Sequence, residues 1–293
     1  VHAVFCSFHG GEGENGSFQG LCEQFNIPYT GSGVMASSVG MDKVSAKRLC
    51  SAAGIRVTRW VDFLESEWVE NERELLNEME NMGYPLVVKP VHLGSSIGVV
   101  KAEDPDSLTN AIETAFRYDQ HVLVEEAIQP LMEINCSVLG DAEDYKLSVC
   151  ERPLGKSETL SFEDKYQSGG SNEKGMASAD RVIPADISEE LTKKIQEISG
   201  RIFNLFKASG VARLDFLINS DSDEIYFNEI NTIPGSFSFY LWEKSGVDFK
   251  SLVLKLIEIG IKKHRQKNGR IRSYETNLLS EKAMTGLKGL KGK

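Results

Sequence analysis

Cationic charge, cysteine, long apolar runs and internal repeats are all scarce in this chain, and each scarcity excludes something. Lys and Arg number 33 against 43 Asp and Glu, a net charge of −10. That balance argues against nonspecific nucleic-acid binding and against anionic membranes. Five cysteines (Cys6, Cys22, Cys50, Cys136, Cys150) make an odd number with no CxxC pair. They suit reduced thiols in the cytoplasm rather than a disulfide framework or a zinc site. No apolar run is long enough to span a bilayer and no signal-peptide pattern is present, so membrane insertion is not expected. A strict β-α-β alternation is missing too, which points to an α+β arrangement rather than one doubly wound sheet.

What remains is ordinary globular material: 41% hydrophobic and 26% charged residues over a length of 293. That suffices for a large core divided among two or three subdomains. Charge is uneven along the chain. Residues 262–293 carry ten Lys or Arg against two Glu, and this basic end is expected to be solvated. The opening VHAVFCSF has the pattern of a buried parallel strand running into the glycine-rich HGGEGENG. Such a strand needs neighbours and a crossover helix, so the chain is expected to begin inside a domain.

Apolar periodicity predicts helices over 17–26, 41–53, 66–82, 105–118, 188–208 and 248–263, the second carrying Lys43 and Lys47. Strands are predicted over 1–8, 55–57, PLVVKP, the residues after the GSSIG loop, HVLVEE, INCSVLG, KLSVCE and a hairpin over 211–230. Residues 155–182 are polar and glycine-rich, and a loop of this length is expected to be a lid.

Chemistry concentrates in a few places. In DEIYFNEINTIPG, Glu229 and Asn231 are two apart in a strand and face the same way, as do Arg213 and Asp215 in ARLDF. Asp215 and Glu229 repel unless a cation lies between them, and hard oxygen ligands suit Mg²⁺ held with phosphates. A salt bridge from Arg213 to either acid is the competing expectation. Lys89 ends an apolar strand and precedes Gly94, Ser95, Ser96 and Gly98, an amine beside a loop of backbone N–H groups that can grip an anion. It is not a Walker loop, because the lysine comes first. Lys43 and Lys165 are further candidate phosphate contacts. The strand edge Glu125, Glu126, Ala127, Ile128 could pair with a purine, with Glu133 reaching ribose hydroxyls. His9 and Glu14 flank a helix start in the opening glycine loop.

In order along the chain, HGGEGENGSFQG, IPYTGSGVMAS, MDK, YPLVVKP, GSSIGV, VLVEE, DKY, ARLDF and NEINTIPG resemble the motifs of D-alanine–D-alanine ligases of the ATP-grasp superfamily. The resemblance covers about residues 1–257 and leaves the basic tail unexplained. It implies an ATP-grasp fold, α+β but α/β at the N-terminus, with nucleotide between two α+β subdomains and the remnant of an N-terminal Rossmann-like domain. The implied divisions are 1–33 for that remnant, 34–126 for the small ATP-grasp subdomain, 127–265 for the C-terminal subdomain with its lid at 155–182, and 266–293 for the tail.

By the same resemblance, Lys43, Lys89 and Lys165 contact ATP phosphates, Glu125 to Ile128 line adenine and Glu133 holds ribose. Asp215, Glu229 and Asn231 hold two Mg²⁺ ions, or Mn²⁺. Ser95 and Tyr166 link the glycine loop to the lid, and Arg213 with the Gly235 N–H forms the oxyanion site. His9 and Glu14 match the first D-alanine pocket, and Tyr240 and Leu241 the second. The implied reaction is ATP-dependent joining of two D-alanines for peptidoglycan precursors, in the cytoplasm, with a homodimer as a compatible assembly. Two departures stand out. Tyr240 occupies the place of a family serine that helps hold the second substrate, and the family's opening strand, glycine turn and glutamate do not appear in this sequence. Alternatives are a D-serine or D-lactate acceptor, or an ATP-binding remnant without ligase activity.

Overall fold

A computed structural model describes residues 2–154 and 181–270. Two antiparallel sheets organise it. The smaller contains β1 (Trp60–Leu64), β2 (Leu86–Pro90), β3 (Val100–Ala102) and β4 (His121–Glu126), in the order β1-β4-β2-β3. The larger contains β5 (Leu131–Gly140), β6 (Tyr145–Pro153), β7 (Arg181–Val182), β8 (Gly210–Asn219) and β9 (Glu224–Asn231), in the order β7-β6-β5-β8-β9. Every ladder in both sheets is antiparallel. This is the α+β class that the missing β-α-β alternation predicts.

Strand alternation gives each sheet two different faces. In the small sheet Val61, Phe63, Leu86, Val88, Val122 and Val124 turn outward. They form one core with Trp68 and Met79 of α5 (Glu65–Glu80) and Leu108, Ala111, Ile112 and Ala115 of α6 (Pro105–Phe116). The opposite face carries Trp60 and Leu123, which cluster with Val44 of α4 (Lys43–Ala52) and Val91. In the large sheet, Ile134, Cys136, Val138, Leu214, Phe216 and Ile230 meet Leu191, Ile195, Ile202 and Phe203 of α7 (Glu189–Leu205). The helix places those four at the 3.6-residue spacing of a single stripe. Side chains at the intervening strand positions point the other way, and there the polar residues collect.

Local signals set several boundaries. Asp42 caps α4 by accepting from the Ser45 N–H at 2.8 Å, and Asp104 caps α6 with Pro105 in its first turn. Ser188 caps α7, and Asp248 caps α9 (Phe249–Asn268). Leu252, Leu256 and Ile259 of α9 bury against Leu139, Val211 and Trp242 on the far side of the large sheet.

Two expectations need correction, and one helix is additional. Residues 1–8 make no strand ladder: Val4 forms an isolated parallel bridge with Tyr29, through Val4 N–H to Pro28 O at 2.8 Å and Thr30 N–H to Val4 O at 3.0 Å. Among the described residues that edge meets one partner only, too few bonds for a sheet. No strand occurs at 55–57 either; the chain stays extended and β1 begins at Trp60, where alternation of Val61 and Phe63 commits a face to the core. Residues after Gly33, to which the sequence assigned no element, form a helix, α3 (Val34–Met41), with small Ala36 and Ser37 buried. Short helices α1 (Gly11–Glu14), α2 (Ser17–Gln24) and α8 (Phe239–Lys244) complete the set. No described helix is long and apolar enough to cross a membrane. The proposed lid lies almost wholly outside the described residues, and so do most of the basic tail, Lys165 and Tyr166.

Candidate active site

The polar face of the large sheet is built by register. Glu151 on β6 lies opposite Asn135 on β5, Asn135 opposite Asp215 on β8, and Asp215 opposite Glu229 on β9. Four polar side chains therefore form one row across four strands, about 14 Å long at the usual strand spacing. The next row on the same face holds Ser137, Arg213 and Asn231. A shift in register after Asp215 follows at once, so the alternation that aligns these rows ends where the acids end.

Arg213 grips Asp215 with two hydrogen bonds of 2.7 Å, from Nε to Oδ1 and from an Nη to Oδ2. The salt bridge weighed against a cation in the sequence is thus formed. Asn231 Nδ2 donates to Asp215 Oδ2 at 3.0 Å and to Glu229 Oε1 at 3.4 Å. Burial pushes the Asp215 carboxyl up to about 6; Arg213 opposes this and Glu229 adds to it. The corner therefore holds more negative charge than one guanidinium neutralises. Among the described residues no group of three or more histidine, cysteine or carboxylate side chains converges; this corner brings together two carboxylates, Asp215 and Glu229, and the Asn231 amide.

The small sheet turns amines toward this corner. Lys89 Nζ donates to Asn228 Oδ1 of β9 at 3.0 Å and pairs with Glu125 Oε1. Lys43 opens α4 and donates to the Leu93 carbonyl of the glycine–serine loop. Burial pushes the Lys43 ammonium down, while Glu229 is the strongest opposing influence. Ser95 and Ser96 sit in that loop with positive φ of 57° each. Glu14 joins from the N-terminal segment: burial pushes its carboxyl up, the Gly10 N–H bonds it, and Glu229 and Arg213 are near enough to act on it. His9, by contrast, is exposed.

The candidate purine edge divides by strand parity. Glu126, Ala127 and Ile128 line an open cleft of about 300 Å³ with Arg59, Tyr84, Pro85 and Tyr226. Glu125 points to the other side and is 1% exposed. Its carboxylate lies between Lys89 and Lys47. Glu133, opposite Leu217 on β8, shares the polar face of the row.

Tyr240 is buried at the β6 end. Its hydroxyl donates to Glu151 Oε1 at 3.1 Å, and the Arg181 guanidinium lies 4.1 Å from its ring centroid while donating to Glu151 Oε2 at 2.6 Å. Asn135 Nδ2 donates to Glu151 Oε1 at 3.0 Å. Leu241 is fully buried, and Trp242 donates to Ser137 Oγ at 3.0 Å, which docks α8 on this face. Between Gly235 and α8, Ser236, Phe237 and Ser238 all have φ near +50° (51°, 55° and 51°), a strained turn of non-glycine residues beside the site.

Sequence reasoning missed Glu151, Asn135, Arg181 and Asn228. The first three belong to none of the nine motifs, and Asn228 opens NEINTIPG but was given no role there. The available signal was parity: Asn135 and Glu151 flank Cys136 and Cys150, and a polar residue between buried ones in a strand faces the other side.

Two antiparallel sheets that face amines against carboxylates, each backed by helices, define a protein of the ATP-grasp class. The comparisons narrow the class. Residues 49–258 match the family described as D-ala D-ala ligase C-terminus, and the chain belongs to the D-alanine–D-alanine ligase family. It is 41% identical to the D-alanine–D-alanine ligase of Thermosipho melanesiensis over 96% of this chain and 74% of that one. It is 38% identical to the enzyme of Bacillus cytotoxicus over 91% and 72%. Among solved structures, the D-alanine-D-alanine ligase from Coxiella burnetii superposes with a TM-score of 0.75 at 33% identity, over 92% of this chain and 70% of that one. The VanG D-Ala:D-Ser ligase from Enterococcus faecalis gives 0.76 at 35%, over 89% and 73%.

Proposed function

We propose that this protein joins two D-alanines into D-alanyl-D-alanine at the expense of ATP, for peptidoglycan precursors. The observation that carries the reading is the approach of Lys43 of α4 and Lys89 of the small sheet to Glu229 and Asn228 of β9, beside which Asp215 and Asn231 also stand. Phosphoryl transfer from ATP needs positive charge spread around the phosphates and little covalent help from the protein. Lys43 and Lys89 supply the fixed part, with Glu126 to Ile128 along the purine and Glu133 at the ribose.

Asp215, Glu229 and the amide oxygen of Asn231 are the residues that would hold Mg²⁺ or Mn²⁺, two ions in the family's manner. The donor set is hard oxygen, and turning the Asn231 amide about its last torsion exchanges its nitrogen for its oxygen. Asp215, pushed up to about 6 in the absence of a cation, fits a site whose negative charge is incompletely balanced. When bound, the cation neutralises phosphate charge.

In the chemistry we infer, a D-alanine binds with its ammonium toward Glu14, and its carboxylate attacks the γ-phosphorus while ADP leaves. The amine of the second D-alanine then attacks the acyl phosphate carbon, forming the peptide bond and releasing phosphate. Arg213 and the Gly235 N–H stabilise the tetrahedral oxyanion between these events. We place the reaction in the cytoplasm, which the five buried free cysteines suit, with a homodimer as the compatible assembly.

A second reading concerns the acceptor. The Tyr240 hydroxyl donates its hydrogen bond to Glu151, so its donor is already engaged on the side assigned to the second amino acid. D-serine or D-lactate is the alternative. Incubation with ATP, D-alanine and each acceptor, followed by mass spectrometry and phosphate assay, tests both readings. D-alanyl-D-alanine is the expected main product; a dominant mixed product overturns the acceptor, and nucleotide binding with no ligated product overturns the ligase.

A further inference from the structure

Two ammonium groups, Lys47 and Lys89, pair with one carboxylate, Glu125, at the edge of the site, and the chemistry above uses only Lys89. Lys47 has no part in it. It lies one helical turn beyond Lys43 on α4, on the same face, and is 1% exposed, so it can touch neither nucleotide nor amino acid. Its Nζ lies 2.7 Å from Glu125 Oε2 and donates to Thr58 Oγ1 at 2.5 Å. Thr58 Oγ1 in turn donates to the same Oε2 at 2.9 Å. The other carboxylate oxygen, Oε1, meets Lys89.

We infer that Lys47, together with Thr58, is a positioning residue that acts through Glu125 to set Lys89 for the nucleotide phosphates. The inference rests on the reading of Lys89 as a phosphate contact. Glu125 has two oxygens, and Lys47 and Thr58 occupy one of them from inside the protein. That division leaves a single oxygen for Lys89, whose remaining protons go to Asn228 and the site. Without Lys47, Lys89 becomes the sole cation of a buried carboxylate. It is then drawn onto both oxygens, because a buried charge left half-paired is costly. Burial alone would raise the Glu125 carboxyl; Lys47 and then Lys89 outweigh it and hold the group well below the usual carboxylate range. Losing Lys47 therefore also brings protonation of Glu125 closer to working pH, and a protonated Glu125 no longer pairs with Lys89.

A structural role is the competing account, since Lys47 lies 5.6 Å from the Trp60 ring centroid and beside the Val44, Val91 and Leu123 cluster. The experiment separates the two. Lys47→Met, Glu125→Gln, the double variant and Thr58→Val are compared by calorimetric Mg·ATP affinity between acid and neutral pH, by D-alanine affinity, and by melting temperature. Lys47→Met should weaken Mg·ATP about tenfold, the order of one charge-assisted hydrogen bond, with D-alanine affinity unchanged. The loss should deepen as pH falls, and the same substitution should have little further effect once Glu125 is Gln. Thr58→Val should give a smaller loss of the same kind and serves if Lys47→Met does not fold. Equal losses for Mg·ATP and D-alanine, or fully additive effects of Lys47→Met and Glu125→Gln, overturn the inference. Lys89→Met identifies which reading has failed. If it leaves Mg·ATP affinity intact, the phosphate assignment of Lys89 falls and takes this inference with it. If it weakens binding while Lys47→Met does not, only the inference falls.

Discussion

The facing surfaces of the two sheets use one device with the signs reversed. At the small sheet, Lys89 of β2 and Lys47 of α4 flank the single carboxylate Glu125. On the large sheet, the carboxylates Asp215, Glu229 and Glu151 crowd around Arg213 and Arg181. Each side carries more of one charge than it can neutralise alone, and each keeps buried charge in hydrogen-bonded pairs, where breaking a pair costs far more than making it gains. The small sheet thus presents a surplus of amines and the large sheet a surplus of acids, across a gap spanned by the Lys89–Asn228 hydrogen bond. On the proposed reading, that difference fits the small-sheet side to phosphates and the large sheet to a cation, with neither sufficient alone.

The comparison breaks most severely at Glu229. Glu229→Gln keeps the shape but removes the outermost acid, and should lower ADP formation about a thousandfold or more while leaving the melting temperature nearly unchanged. A variant within a few-fold of the parent would remove Glu229 from the metal set. Next comes the far end of the acid row. Glu151→Gln unpairs Arg181 and loosens Tyr240, so the KM for the second D-alanine should rise about tenfold with the KM for ATP unchanged. Equal changes in both would show the β6 end to be structural.

The smallest effect tests the pairing rule itself. Lys263 on α9 is a half-buried amine whose neighbours include the Tyr29 ring, 5.0 Å from its centroid, and the Gly31 carbonyl. Burial pushes it down to about 8, with Cys6 slightly opposing. Because its folded pKa is below the unfolded value of about 10.4, the folded state binds fewer protons between the two, and stability from this group rises with pH through that window and falls as pH drops toward 8. Melting temperature should therefore climb from neutral to alkaline pH more in the parent than in Lys263→Met. The variant should melt a few degrees higher near neutral pH. Identical pH slopes would mean that this amine is neutralised by a partner already.

Much of this was legible before any coordinates. The i, i+2 pairs Arg213/Asp215 and Glu229/Asn231 announce a shared face, because strand parity is a local property. Lys89 at the end of LVVKP could be placed for the same reason, and the helix carrying Lys43 and Lys47 follows from its apolar period. The order of nine motifs pointed to the family. Glu125 was different. Parity puts it and Glu126 on opposite faces, but the unbroken apolar run Val122-Leu123-Val124 does not say which face is buried; one faces two lysines and the other a cleft lined with Tyr84 and Tyr226.

The sequence by itself determined which residues alternate, where helices are capped and which chemistry each short segment can perform, since all three depend on neighbours within a few positions. Only the tertiary structure decided which charges meet. Lys47 and Glu125 are 78 positions apart and Arg181 and Tyr240 are 59 apart, and nothing in either segment specifies the other. Their pairing comes from the packing of α4 between the two sheets and of α8 on the large one, where burial removes water and leaves each charge no partner but the one the fold provides.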